Sequence, residues 1–461
     1  MSNGHAEGNE GQGLQKTLGF WQVTLYGTGS MLGAGIYALI GRAAETLGNA
    51  IWLAFLAAMI AAVLTGLSYA CVGSRYPKAG GAAFVTNRAF NRKWLSYVVG
   101  MAVMMSGLTS MATGSQAIAE NLQRAFGFDW STKLVAIGIV LLVGMVIFRG
   151  IRESMWANIV CTVVEVGGLI FIVAVGMRFW GGVNYLEMPP AASDGGNALL
   201  AMVVLQGAVL TFFSFIGFED LLNVSEEVKD APRNLPRGLI TAMLISTVIY
   251  MLVAITAVSV VPWQELAGSK TPLMEVAQRA APWFGNIDRV FLAITIFSIG
   301  NTALLNYLMG SRLLYGMSRQ KLLPSVFGRI HPVRRTPHIA VLTLFFIVTL
   351  LILSGGVKQL AESTVLLLLG VFTIVNVALI FLKLRKDEPK GQFEVPLVVP
   401  VLGALVCLIL IGVRVAAAFS SVNPASKTAP LVSGAIVLLA LVLYAVIRPK
   451  KVPGEISAEE D

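Results

Sequence analysis

Three clusters of residues have types and spacings that could do chemistry, and each interrupts a stretch otherwise suited to an apolar solvent. Glu165 stands inside VCTVVEVGGLIFIVAVG, with no other charge in the run. Placing an acidic side chain at the centre of a bilayer costs roughly 2.5–3.5 kcal/mol, so its presence needs a reason. Protonated, it is neutral and tolerable at low dielectric; deprotonated, it requires water or a cation. Three readings follow: a proton carrier, a sodium ligand, or a neutral acid hydrogen-bonded to a neighbouring helix. The second cluster is GTGSMLGAGIY, with Gly27, Gly29, Gly33 and Gly35 close together. The third is FFSFIGFEDLLN, where Gly217 stands beside Glu219 and Asp220. Glycines at this density permit unwound backbone and close approach of a ligand to main-chain groups.

The elements that carry these clusters follow from composition. The chain has 461 residues, of which 56% are hydrophobic and 13% charged. A soluble chain carries about 25% charged residues. The apolar excess is gathered into twelve runs of roughly twenty residues, the length that spans a hydrocarbon core. Gly238 to Gln264 and Ile339 to Val357 hold no charged residue at all. The formal charge of +9 is a matter of topology: 24 of the 34 Lys and Arg residues fall in segments on the side of the N-terminus, among them Arg75, Lys78, Arg88, Arg92, Arg319, Lys321, Arg334 and Arg335. That bias predicts both termini in the cytoplasm and calls for no nucleic acid. Trp21, Trp52, Trp94, Trp130, Trp156 and Trp180 fall near predicted helix ends, at headgroup depth.

Other classes lack their signatures. The first eighteen residues have no apolar core of a signal peptide. Cys71, Cys161 and Cys407 lie in separate spans, and His5, His331 and His338 are scattered, so neither a disulfide framework, a metal site nor another cofactor is expected. No nucleophile with its base marks an enzyme, and no filter repeat or continuous polar stripe marks a channel. A sensor would need a soluble output domain, for which there is no room.

The two glycine-bearing spans are the first and the sixth, five apart. Five is odd, so a second five-helix unit inserts upside down relative to the first. Interrupted helices at matching positions of inverted halves point to a carrier's binding site. The competing reading of Gly29 and Gly33, four apart, is a packing face for a neighbouring helix. A dinucleotide loop is rejected, because no strand precedes these glycines.

At these residues the chain resembles the amino acid–polyamine–organocation superfamily. The first-span stretch GTGSMLGAGIY, the sixth-span stretch FSFIGFED with SEEVKDAPRNLP after it, and the eighth-span ending GSRLLYGMSRQKLLP are similar to that family's motifs. The resemblance implies an all-α membrane protein of the LeuT-type fold. It divides the chain into a cytoplasmic tail (1–18), two inverted five-helix repeats (19–195 and 196–390), helices 11 and 12 (391–449) and a second tail (450–461). It further implies a secondary carrier of an amino acid in a bacterial inner membrane, with a proton-coupled symporter expected before an exchanger. The alternative is a polyamine or other amine carrier of the same fold. By the same resemblance the substrate carboxylate meets the amides of Gly33, Ala34 and Gly35, and its amino group meets the carbonyls of Met31, Phe213 and Ile216. Helix termini supply the complementary partial charges.

Proton-coupled relatives often have lysine where this chain has Glu165; the departure leaves a proton as the expected partner, with sodium behind it. An acid at the position of Glu219 is implicated in gating in related exchangers, and its other reading is a cap on the second half-helix. Asp220, one residue on, should point elsewhere. Arg312 and Arg414, near helix ends, are expected to snorkel to the interface, and Glu226 and Glu227 to lie on a solvated face. Asn301, Thr302 and Asn306 complete the cavity or join helices. Phe213 and Phe215 shape the cavity, unless one is ordinary packing. Some cationic carriers have an acid where Ser106 stands here. Residues 262–286 are amphipathic and expected to lie flat on the outer surface.

Overall fold

A computed structural model describes residues 14–127, 129–189, 196–269, 271–354, 357–420 and 427–447. Residues 1–13 of the N-terminal tail, with His5, and the whole tail 450–461 lie outside this set. Among the described residues the only β feature is a single bridge between Leu18 and Val228. Everything else is helix and connection, as lipid demands of a chain that must satisfy its backbone internally.

The helices in chain order are α1 (Phe20–Leu47), α2 (Ile51–Arg75), α3 (Gly81–Phe90), α4 (Lys93–Phe126), α5 (Thr132–Arg149), α6 (Ile151–Gly176), α7 (Gly196–Phe212), α8 (Asp220–Asn223), α9 (Ala231–Val260), α10 (Trp263–Gly268), α11 (Pro272–Ala280), α12 (Ile287–Arg319), α13 (His338–Ser354), α14 (Val357–Leu384), α15 (Val398–Ser420) and α16 (Thr428–Ile447). Twelve of them have 17 residues or more, at the positions of the twelve expected spans. Length and apolarity alone pick out ten membrane-crossing ranges. One of these, Leu39–Arg75, runs across α1 and α2, and His338–Leu353 is a shorter apolar helix.

α1 is the axis of the bundle. It packs against α9, α12, α6 and α7, while α12 in turn packs on α4 and α6. Glycines set how closely these helices approach. A β-carbon on Gly238 of α9 would stand 2.4 Å from Val23 Cγ1, and one on Gly66 of α2 would stand 2.2 Å from Met243 Sδ. α15 and α16 pack on α14 at the edge, exposing Leu405, Leu408, Leu438, Leu439 and Val442 as a lipid-facing surface would. Five of the six tryptophans named above are exposed; Trp52 instead turns inward and donates to the Tyr185 carbonyl at 2.9 Å.

The segment 262–286 departs from expectation. Its helices α10 and α11 pack onto α1, and α11 also packs on α6, so their apolar faces (Leu266, Leu273, Val276, Ala277) are buried in protein. A β-carbon on Gly41 would come within 2.7 Å of the Leu266 carbonyl. The amphipathic pattern marks a buried face without saying whether protein or lipid buries it. Here it is protein.

α9 contains Pro236, which has no N–H to give the carbonyl four residues earlier. That carbonyl, of Pro232, accepts instead from Ser74 Oγ of α2 at 2.7 Å. The same Ser74 Oγ receives the Phe393 N–H at 2.9 Å, drawing the 385–397 connection under α2. Glu394 secures it: Arg75 donates from Nε and Nη2 at 2.6 Å each, Lys383 at 2.5 Å and the Gly391 amide at 3.0 Å. Partial burial works to raise the Glu394 pKa, but these donors outweigh it and hold the carboxyl at about 2.

A depressed native pKa stabilises the fold above the unfolded value and loses that stability as pH falls through the native one. Glu394→Gln should therefore lower the thermal unfolding temperature in detergent at neutral pH. The difference from wild type should stay constant down to roughly pH 5 and shrink as the pH falls from about 4 towards 2. A difference that vanishes already above pH 5 would mean the carboxylate is not held in this way.

Candidate functional site

The first helix breaks where its glycines cluster. Gly33 has φ −10° and ψ −160°, outside helical geometry, between helical residues on either side. The partner break follows α7: Phe213–Phe215 tighten into a 3₁₀ turn, Ile216 is extended (φ −65°, ψ 138°), and Gly217 takes φ 128° before α8 begins at Asp220. Positive φ of that size is costly for any residue with a β-carbon. At Gly217 that atom would also stand 2.6 Å from the carbonyl carbon and oxygen of Ser30. The sixth-span break thus lies directly against the first-span break.

The residues expected to cradle a substrate come together. A β-carbon on Gly35 would be 3.0 Å from Ser214 Cα and 3.4 Å from Phe213 Cδ1, and one on Gly33 would be 2.2 Å from Thr302 Oγ1. Ala34 lies between them on the α1 backbone. The Phe213 carbonyl accepts the Ile216 N–H at 3.2 Å, leaving one lone pair. Met31 is buried, and its carbonyl lies 2.5 Å from the Tyr250 hydroxyl, which is also 2.7 Å from the Ser214 carbonyl. One hydroxyl carries one proton, so it donates to one of these carbonyls at a time.

Tyr250 is absent from the sequence expectations, although it is the one tyrosine in the uncharged run Gly238 to Gln264. Phe215 is buried edge-on against it (5.2 Å, 89°), which makes Phe215 the packing residue of the pair and leaves Phe213 half-buried beside Gly35.

Glu165 on α6 is fully buried. Its Oε1 accepts from Ser298 Oγ of α12 at 2.5 Å, and its Oε2 has no hydrogen-bond partner among the described residues. On the same α6–α12 seam, Asn301 Nδ2 donates to Thr162 Oγ1 (3.1 Å) and to the Gly29 carbonyl (3.4 Å), and Thr162 donates to Asn158 Oδ1 (3.1 Å). A β-carbon on Gly29 would meet all three of these side chains within 2.8 Å. Gly29 is therefore a packing glycine, while Gly33 and Gly35 border the break. The helix-joining reading holds for Asn301, and Thr302 faces the break at Gly33. Asn306 bonds within its own helix, to the Thr302 carbonyl at 2.9 Å. The arrangement at Glu165 can hold a proton, or bind a cation through the bare oxygen.

Glu219 accepts the Gly217 N–H at 2.8 Å, which ties its carboxylate back onto the break; its side chain accepts no hydrogen bond from the first turn of α8, so the cap reading does not hold. Asp220 does not point elsewhere: its Oδ2 accepts from Ser30 Oγ, in α1, at 2.9 Å. Helical phase places adjacent residues on different faces only where the chain is helical. Glu219 precedes α8, and Asp220 is its first residue.

Arg312 is a second correction. It is not an interfacial anchor but fully buried, paired with Glu227, which is equally buried and so not on a solvated face. Nε and Nη2 reach the two carboxylate oxygens at 3.2 and 3.1 Å, and Nη1 donates to Ser311 Oγ at 2.9 Å. Seven residues of α12 follow Arg312, which sets it about 10 Å inside the helix end, too deep to snorkel. The Glu227 carbonyl also receives the N–H groups of Thr17 and Leu18, both at 2.9 Å, tying the segment before α1 to the same point. Glu226 is half-buried and accepts the Ala79 N–H at 3.0 Å.

Two facing interrupted helices inside an all-helical membrane bundle define a carrier of small molecules. The chain belongs to the amino acid permease family, whose model matches residues 18–442, and it is a transporter rather than an enzyme. With that family comes the LeuT-type fold of two inverted five-helix repeats. It is 26% identical to the branched-chain amino acid permease BcaP of Bacillus subtilis over 86% of this chain and 88% of that one. It is 27% identical to the methylthioribose transporter of the same organism, over 87% and 88%. With the vacuolar cationic amino acid transporter 4 of Arabidopsis thaliana it shares 30% over 82% of this chain and 64% of that one.

Removing one member of a buried ion pair strands the other. Glu227→Ala or Arg312→Ala alone should cost about 3–5 kcal/mol of stability, whereas replacing both with apolar residues of similar volume should cost far less. Thermal unfolding of the single and double variants in detergent measures the difference. Equal losses in all three would show that the pair is not isolated from water.

Proposed function

We propose that this chain is a secondary carrier that moves an amino acid across a bacterial inner membrane by alternating access, with both termini in the cytoplasm. The observation that carries the reading is the meeting of the two breaks, with the carbonyls of Met31 and Ser214 converging on one hydroxyl. The carboxylate end of the substrate lies at the amides of Gly33, Ala34 and Gly35. Its amino group lies at the carbonyls of Met31, Phe213 and Ile216. The names of the two amino acid transporters above support the substrate class, and the methylthioribose transporter marks how far substrates vary among relatives.

Glu165 carries the coupling proton in this proposal. Its one hydrogen-bonded oxygen fixes the carboxyl, and its bare oxygen can take the proton or release it when water enters the seam. Sodium at the same oxygen is the weaker reading. Glu219 gates through its bond to the Gly217 backbone. A second reading, transport of a polyamine or other amine, rests on the three buried acids Glu165, Glu219 and Asp220, which outnumber what a neutral substrate needs. Exchange of one amino acid for another would use the same cradle without net proton movement.

The test is uptake into proteoliposomes of labelled amino acids and amines, with and without an imposed proton gradient. Gradient-stimulated amino acid uptake is expected; uptake of amines alone would favour the second reading. Glu165→Gln should lose gradient-driven accumulation while retaining exchange, and accumulation at the wild-type level would end the proton assignment. Gly33→Val should insert normally but lower substrate affinity roughly ten- to hundredfold, because its β-carbon collides with Thr302 Oγ1. Wild-type affinity in that variant would remove the backbone cradle.

A further inference from the structure

Asp220 has no part in the cradle of backbone groups, yet it is only 4% exposed and reaches across to α1. Its partner Ser30 immediately precedes Met31, whose carbonyl ends the first half of the broken helix. The Gly217 backbone presses on the same serine, and Glu219, 5% exposed, holds the Gly217 amide. Two neighbouring carboxylates therefore sit beneath the amino-group end of the site. Among the described residues Arg312 is the one fully buried basic side chain, and both of its bonds to a carboxylate go to Glu227. The other titratable groups in the field of the two acids are Tyr26 from α1 and Tyr69 from α2, both buried, with Glu227 beyond them. The Tyr26 and Tyr69 hydroxyls have no hydrogen-bond partners among the described residues. Two acids on adjacent residues, both buried and neither bonded to a basic side chain among the described residues, do not both ionise cheaply.

We propose that Asp220 is a positioning residue of the transport cycle: through Ser30 it pins the second half of the sixth span to the first half of the first span, and with Glu219 it keeps one negative charge under the Met31 carbonyl. The pin aligns the carbonyls that receive the substrate's amino group, and the charge adds attraction for an ammonium. The role of the charge rests on the amino acid reading above; the pin does not.

Ser30→Ala, Asp220→Ala, the double variant and Asp220→Asn separate the two parts. In the substrate-free carrier, hydrogen–deuterium exchange across residues 217–227 should rise in both alanine variants and stay at the wild-type level in Asp220→Asn, whose amide oxygen still accepts from Ser30. In uptake assays each alanine variant should raise KM about tenfold, and the double variant no further, because one shared interaction is lost. Asp220→Asn should keep the wild-type KM near neutral pH but lose one proton step from the dependence of KM on pH. Unchanged exchange in the alanine variants, or effects on KM that multiply in the double variant, would overturn the pin. An Asp220→Asn pH profile that superimposes on wild type would overturn the charge. A wild type that takes up no amino acid would defeat the functional reading, while the exchange measurement would still decide on the pin.

Discussion

A chain that crosses lipid has no water to complete its backbone hydrogen bonds, and this constraint organises everything in the molecule. Helices satisfy it by closing on themselves, so an opened helix is tolerated only where other protein groups cover the exposed amides and carbonyls. Both openings here are covered by each other and by one hydroxyl from α9. The Tyr250 proton is offered to a carbonyl from each break, the Gly217 amide is taken by Glu219, and the Gly217 backbone rests on Ser30. The breaks are thus mutual partners, and the proposed cradle is made of the main-chain groups they bring side by side.

The same constraint explains the distribution of polar side chains. Buried hydroxyls and amides occur on most helices, but among the described residues the buried carboxylates are confined to Glu165 on α6 and to the stretch from Glu219 to Glu227. Asn158, Thr162, Ser298 and Asn301 bond to one another or to main chain, and Glu165 joins the group through a single oxygen. Nearer the N-terminal side, Arg312 and Glu227 neutralise each other in full burial. A neutralised pair of this kind is poor evidence for added stability but good evidence for a fixed arrangement, because either partner alone is intolerable. Since it joins α12, the connection before α9 and the segment before α1, it holds three elements in register at one point.

Much of this was legible in the chain itself. Apolar run length placed the long helices, glycine density alone located the first break, and a glycine beside two acids located the second, since few other reasons exist for such residues at that depth. Glu165 could be singled out because a lone carboxyl in an apolar run has no bland neighbours to explain it. The failures share a cause: each needed knowledge of where a backbone goes after a break or an end. Asp220 was assigned by helical phase to a stretch where α8 is only beginning. Arg312 was judged by its closeness to a helix terminus, but α12 continues seven residues past it. Tyr250 carried no signal beyond being a tyrosine in an uncharged run, because its partners are main-chain carbonyls far away in sequence. The amphipathic segment 262–286 had its buried face read correctly as apolar, yet only the path of α1 decides that protein covers it.

The glycine contacts have a consequence for anyone who would make this protein sturdier. Exchanging glycine for alanine within helices is a general way to stabilise a chain by narrowing its unfolded ensemble. At Gly29, Gly33 and Gly217 that route is closed, since the added carbon would fall within 2.6 Å of a neighbour in every case. Gly138, Gly167, Gly370, Gly412 and Gly434 are different: each lies in a helix with nothing within 4 Å of the added atom. Rigidity can be added on the flanks of the bundle, at the surfaces of α5, α6, α14, α15 and α16, while the centre keeps the missing methyl groups that let its helices touch.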